Sequence, residues 1–88
     1  MSIVFFIFYI FFDGGLMPDF ADRLKELRKS KGLTQASTAK SIGWVVQYYQ
    51  KVEYGQFNPS YDKIVQLADF FDVSVDYLVG RSDNPNRQ

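Results

Sequence analysis

Residues 34–55 read TQASTAKSIGWVVQYYQKVEYG, two short periodic runs hinged at Gly43. Thr34 is a natural helix N-cap, and Ala36, Ala39 and Ile42 follow at helical spacing, so the first run is expected to be a helix burying those three residues and ending at the glycine. The second run is too apolar for a surface and too polar for a core. On a wheel of about 100° per residue, residues 45–54 divide cleanly. Val45, Tyr48, Tyr49, Val52 and Glu53 share one side, and Val46, Gln47, Gln50, Lys51 and Tyr54 share the other. The first side is read as the inner one.

The outer side carries two primary amides and an ammonium, with a small apolar residue near its start. Glutamine pairs bidentately with adenine N6 and N7, lysine donates to guanine O6 and N7, and valine touches a thymine methyl. A merely solvated face would more often carry Glu and Lys four residues apart. The inner side also contains a carboxylate, Glu53. Arg28 stands at the edge of an earlier stripe of Phe20, Leu24 and Leu27. Two opposite charges on the rims of two apolar faces predict a partly buried pair, since leaving either one alone inside costs about 3–5 kcal/mol. Two unrelated surface charges are the plain alternative.

Working outward, Phe20, Leu24 and Leu27 recur at i, i+4 and i+7, with Lys29 and Lys31 near the end before Gly32, which suits a helix and its dipole. Asn58 and Pro59 break the chain. Ser60 is placed to cap a fourth helix with Ile64, Leu67, Ala68 and Phe71 inside. Ser74 is placed to cap a short fifth helix holding Val75, Tyr77, Leu78 and Val79. No strand pattern follows Met17. The expected fold is all-α, five short helices, divided as an apolar segment over 1–16, a domain over 17–80, and a polar tail over 81–88 expected to fray.

Residues 3–12, IVFFIFYIFF, would span about 15 Å as a helix, half of the ~30 Å hydrocarbon core, so they are too short to cross a membrane. No Lys or Arg precedes them, which argues against a signal peptide. They are read as an arm buried on another chain, or as an upstream extension of a domain starting at Met17; association with a membrane surface is a further alternative. The 88 residues support one modest core. With no cysteine and no histidine, the chain lacks a disulfide, a thiolate metal site and the commonest general base, so neither cofactor nor metal is expected. Asp69, Asp72 and Asp76 recur at helical spacing without a partner base or metal ligand, and no enzyme is expected. The formal net charge is zero, yet residues 23–51 hold seven basic side chains and one acidic, whereas residues 52–88 hold three basic and six acidic. A basic half of this kind points to a polyanion.

Leu33-Thr34-Gln35, Ala39, Ile42-Gly43, Val52-Glu53, Gly55, Pro59-Ser60, Leu67-Ala68 and residues 73–81 (VSVDYLVGR) together resemble the lambda-repressor-like helix-turn-helix family, in particular its XRE-type regulators. The resemblance runs without a gap from about Phe20 to Asp83. It implies a five-helix DNA-binding domain, cytoplasmic, acting on double-stranded DNA as a homodimer, in the manner of a transcriptional repressor. By the same resemblance, Val46, Gln47 and Lys51, with Gln50 nearby, are the base-reading positions. Gln35 contacts a phosphate and braces the recognition helix, and Thr34, Lys40, Tyr48, Tyr54 and Asn58 are further phosphate or positioning contacts. For the two tyrosines packing is an equal alternative. Arg28 and Glu53 match the family's paired positions.

The chain departs from the family pattern at several points. Val45 offers no side-chain acceptor at the start of the third helix, a lost cap of roughly 1 kcal/mol. Thr38 stands where a core leucine is usual, and is expected either to pack less well or to back-bond to its own helix. Ser37 replaces the usual Glu, so the capping box is expected to be incomplete. Gln56, Phe57 and Asn58 leave the following loop uncharged, which predicts weaker phosphate anchoring. Trp44 is expected to fill the core. A module of the same fold that binds a protein, such as an antitoxin, is the alternative function.

Overall fold

A computed structural model describes residues 19–56 and 58–87 of the chain. The apolar segment over 1–16, the opening of the domain at Met17 and Pro18, and Phe57 lie outside the described residues. Those described form five helices: α1 (Phe20–Ser30), α2 (Gln35–Ile42), α3 (Val46–Glu53), α4 (Tyr61–Phe71) and α5 (Val75–Leu78). No strand occurs among them.

The core lies where the apolar stripes converge. Phe20 and Leu24 from α1, Ala39 and Ile42 from α2, Tyr49 and Val52 from α3, Ile64, Leu67, Ala68 and Phe71 from α4, and Leu78 from α5 are all buried. α3 packs on both α1 and α2, and α4 packs on α2 and α5. Trp44 completes the core, as expected. Its Nε1 donates to Gln66 Oε1 at 2.9 Å, and Gln66 Nε2 donates to the Ile42 carbonyl at 2.6 Å, so α4 is tied to the end of α2.

Each helix ends in the same way. Leu33, Trp44, Gln56, Val73 and Arg81 each send their N–H back five residues, closing a Schellman turn. In four of these the left-handed position is glycine, and in the fifth it is Asp72, at φ +56°. Gly43 at φ +76° makes the sharp turn between α2 and α3, and Trp44 N–H reaches the Ala39 carbonyl at 2.8 Å. Gly80 is constrained twice over: its φ is +87°, and an added Cβ would sit 3.1 Å from Asp19 Cβ, where α5 approaches the start of α1.

Several expectations are corrected here. Ala36 is exposed, and Thr38 is the residue that turns inward with Ala39 and Ile42. Thr38 does not back-bond; its Oγ1 is buried without a partner. The capping box is complete, because a serine hydroxyl does the work of the longer carboxylate: Thr34 Oγ1 accepts from Ser37 N–H, and Ser37 Oγ accepts from Thr34 N–H, both at 3.0 Å. Ser74 caps α5 through Tyr77 N–H, but Ser60 makes no such bond to α4.

Residues 81–87 do not fray. Ser74 N–H donates to the Pro85 carbonyl at 3.0 Å, and Arg87 Nη1 donates to the Ala68 and Val73 carbonyls at 3.1 Å. α4 has no basic residue in its own last turn, and the tail supplies one. Arg23 holds the other side of the tail, donating to the Tyr77 and Ser82 carbonyls at 2.6 Å and to Asp83, with its guanidinium 4.3 Å from the Tyr77 ring centroid. The three aspartates therefore have basic neighbours: Arg87 pairs with Asp69 at 2.6 Å and lies 3.9 Å from Asp72, and Arg81 lies 3.9 Å from Asp76.

Candidate nucleic-acid interface

α3 is held by its one internal charge. Glu53 takes four hydrogen bonds, two on each oxygen. Arg28 Nε and Tyr49 O–H donate to Oε1, each at 2.8 Å, while Arg28 Nη2 at 2.9 Å and Gln35 Nε2 at 3.0 Å donate to Oε2. Arg28 Nη1 reaches the Leu33 carbonyl at 2.7 Å. One guanidinium thus fixes α1, the loop into α2, and α3 at once. The fork geometry of arginine permits this; a lysine has no second edge to offer. The Glu53 side chain is 1% exposed and that of Arg28 11%, so the pair expected from the sequence is present and buried.

The electrostatics follow from these contacts. Burial alone would raise the Glu53 carboxyl, but hydrogen bonds from Arg28, Tyr49 and Gln35 outweigh it and hold the group below its usual range. The hydrogen bond to Glu53 raises Arg28 further, although burial opposes it. Burial, with the carboxylate beside it, pushes the Tyr49 phenol well above its ordinary value.

With Tyr49, Val52 and Glu53 turned in, Gln47, Lys51 and Tyr54 are turned out, and Val46 and Gln50 are half-buried at the flank facing α2. The wheel is wrong at Val45, which is 67% exposed. Val45 is the N-cap residue, at φ −65° and ψ 135°, so it sits outside the helix and helical periodicity does not govern it. It is the outward residue of this stretch that the sequence reading placed inside.

Of the remaining expected contacts, Lys40 and Asn58 are exposed, and Asn58 also interacts within the protein. Gln35, Tyr54, Tyr48 and Thr34 are engaged with the protein itself. Gln35 braces α3 through Glu53, and its Oε1 accepts from Gln50 Nε2 at 3.3 Å and from Tyr54 O–H at 3.4 Å. Tyr48 is half-buried, packed edge-on to Trp44 at 5.1 Å, with Lys63 Nζ 5.4 Å from its ring, and burial raises its phenol. Gly43, Trp44, Val45, Tyr48 and Lys63 line an open groove of about 320 Å³ beside the start of α3. Thr34 spends its hydroxyl in the capping box.

The basic half is also less available than its count suggests. Arg23 and Arg28 are consumed by internal bonds, leaving Lys25, Lys29, Lys31, Lys40 and Lys51 exposed. Among the described residues no group of acidic side chains is arranged to hold a metal ion, and no helix is long and apolar enough to cross a membrane.

A helix-turn-helix family model matches residues 24–78. Among curated proteins, the chain is 40% identical over 67 residues to the uncharacterized HTH-type transcriptional regulator YobD of Bacillus subtilis (strain 168), covering 76% of this chain and 60% of that protein. It is 42% identical over 60 residues to the HTH-type transcriptional regulator AnsR of the same organism, covering 68% of this chain and 52% of AnsR. It is 38% identical over 60 residues to the cryptic phage CTXphi transcriptional repressor RstR of Vibrio cholerae, covering 68% of this chain and 54% of RstR. The chain thus spans little more than half the length of these relatives. No solved structure matches it.

Proposed function

The chain belongs to the XRE-type helix-turn-helix family, and from that membership we propose that it is a sequence-specific DNA-binding transcriptional regulator that reads the major groove with α3. The observation that carries this reading is the division of α3: Tyr49, Val52 and Glu53 are locked inside, and Gln47 and Lys51 are exposed on the opposite side. Val45 and Val46 at the start of the helix add apolar contacts suited to thymine methyls. Gln47 and Lys51 contact base edges. Lys40 and the second amide proton of Gln35 meet phosphates, and the uncapped N–H groups at the start of α3 favour an anion there.

The protein acts as a homodimer on paired half-sites, and as a repressor; the likeness to RstR supports the second point. Selection of random duplexes by the full chain is expected to recover a palindromic motif with half-sites about one helical turn (roughly 10 bp) apart. Lys51→Ala is expected to relax preference at one base pair of each half-site, by about 1–3 kcal/mol. An equal loss on every duplex would show that Lys51 contacts only phosphate, and absence of any shift at micromolar protein in low salt would refute the reading.

A further inference from the structure

Trp44, Tyr48 and Lys63 come together where the turn between α2 and α3 meets α4. The two rings pack edge to face, with centroids 5.1 Å apart, and Lys63 Nζ stands 5.2 Å from the Trp44 ring and 5.4 Å from the Tyr48 ring. With Gly43 and the exposed Val45 they line the open groove of about 320 Å³, whose walls are mainly apolar. Its size is that of a small-ligand site. Its charge is set by Lys63. Among the described residues each arginine pairs with a carboxylate, whereas no carboxylate pairs with Lys63. A ring face attracts the ammonium but leaves its N–H donors without a conventional acceptor. The start of α3, where Val45 offers no side-chain cap, adds the positive end of the helix dipole beside the same groove. The cation's place in front of both rings is thus already filled, so a second cation is repelled and an anion is drawn in.

We propose that this groove is a binding site for a small aromatic carboxylate, and that occupying it opposes DNA binding by α3. The aromatic body lies against Trp44, Val45 and Tyr48, and the carboxylate accepts from Lys63 Nζ. A ligand seated there covers Val45 and sets a negative charge beside the start of α3, where DNA would otherwise approach. The site stands on the chemistry of the groove alone; its effect on DNA rests on α3 being the groove helix.

The chain has one tryptophan, so the indole N–H of Trp44, which donates to Gln66, gives a single side-chain resonance in a nitrogen–proton correlation spectrum. Titrating the full chain with phenylacetate is expected to move that resonance and the amides of Gly43, Val45 and Tyr48, with Kd on the order of 1 mM. Phenylacetamide, of similar shape without the charge, should bind about fivefold more weakly. Benzylamine and acetate should leave these resonances in place. Lys63→Gln should bind phenylacetate no better than phenylacetamide, and Lys63→Arg should restore the difference; circular dichroism establishes that both variants fold. On a duplex recovered by selection, phenylacetate at about ten times its Kd should weaken wild-type binding by about tenfold relative to the same concentration of acetate. Equal binding of phenylacetate and phenylacetamide, or a Lys63→Gln variant that keeps the difference, overturns the proposal. Resonances that move with protein concentration alone overturn it too, because they assign the groove to a second copy of the chain. Phenylacetate binding that leaves duplex affinity unchanged refutes the opposition to DNA. A chain that selects no duplex removes α3 as the groove helix and that opposition with it, while the titration still decides the site.

Discussion

Breaking the Arg28–Glu53 pair from one side should be far worse than removing it altogether. In Glu53→Met the guanidinium keeps only the Leu33 carbonyl, the Tyr49 hydroxyl is stranded in a ring that is fully buried, and Gln35 loses its anchor. A stranded buried hydroxyl costs about 1–3 kcal/mol and an unpaired buried charge adds more, so a loss near 4 kcal/mol is expected. Arg28→Met leaves a carboxylate that still accepts from Tyr49 and Gln35 and is free to take up a proton, so about 3 kcal/mol is expected there. A domain this small holds roughly 4–10 kcal/mol in all, so each single change consumes a large share of it. The double methionine variant buries two apolar side chains in place of two charges and retains the Tyr49 defect and the lost anchor of Gln35; its loss should be about 1–2 kcal/mol.

Urea unfolding at low temperature, followed by circular dichroism, gives the three values and hence a coupling energy expected at about 5 kcal/mol. Single losses under about 1 kcal/mol, or losses that add, would refute the claim that this pair organises the fold. The pH dependence gives a second readout. The folded carboxyl lies below its ordinary 4.5, so its contribution is complete above that value and is lost as pH falls through the lower folded value. Wild type should hold its stability down to about that pH and decline beneath it. Glu53→Met should lack that part of the decline, and Arg28→Met should show less of it, because burial then acts without its main opponent and the folded carboxyl moves back up toward its unfolded value.

Thr38→Val replaces an unpartnered buried hydroxyl by a methyl of the same shape and should stabilise the domain by about 1–2 kcal/mol, raising Tm by roughly 4–8 °C per kcal/mol; Thr38→Ser, which keeps the defect and removes a methyl, should lower it. Asp72→Gly relieves a left-handed residue at the end of α4 and should raise stability by about 0.5–1 kcal/mol in the same melt, whereas Asp72→Val should lower it by more than that. Arg87→Ala removes the donor that closes the Ala68 and Val73 carbonyls and should cost about 1 kcal/mol, with faster amide exchange at the end of α4 as the local signature; because its side chain is 44% exposed, a larger loss is not expected.

The helices were legible because their signals are local. The apolar stripes, the cap at Thr34 and the glycine stops each act within one turn of chain, and apart from Ala36, whose place inside is taken by Thr38, each appears where the sequence puts it. Errors arose wherever a long-range partner or a non-helical residue decided the matter. Arg87 and Arg23 reach across 19 and 54 residues to close carbonyls, and nothing in RSDNPNRQ announces that. Val45 was misplaced because a wheel describes only residues with helical dihedrals. Ser37 was discounted by comparison with a longer side chain, although its short hydroxyl reaches the same N–H. On α3 the outward placement of Gln47 and Lys51 was readable from period alone. The inward engagement of Gln35 and Gln50 was not, since it depends on how α2 crosses α3.

The arginines and lysines of this chain have separate tasks, and the separation bears on how it would recognise DNA. Arg23, Arg28 and Arg87 each spread several N–H groups over carbonyls and carboxylates, a use that needs a planar fork. Lys25, Lys29, Lys31 and Lys40 are exposed point charges, suited to phosphates. Under the proposed function, direct reading of sequence would fall mainly to amides and to Val45 and Val46, with Lys51 as the one cation on the outward side of α3. An amide discriminates only if its two ends are distinguishable to the base, and in water it rotates freely between them. The contacts of Gln35 with Glu53 and of Gln50 with Gln35 limit that freedom for both of these amides, whereas Gln47 stands exposed.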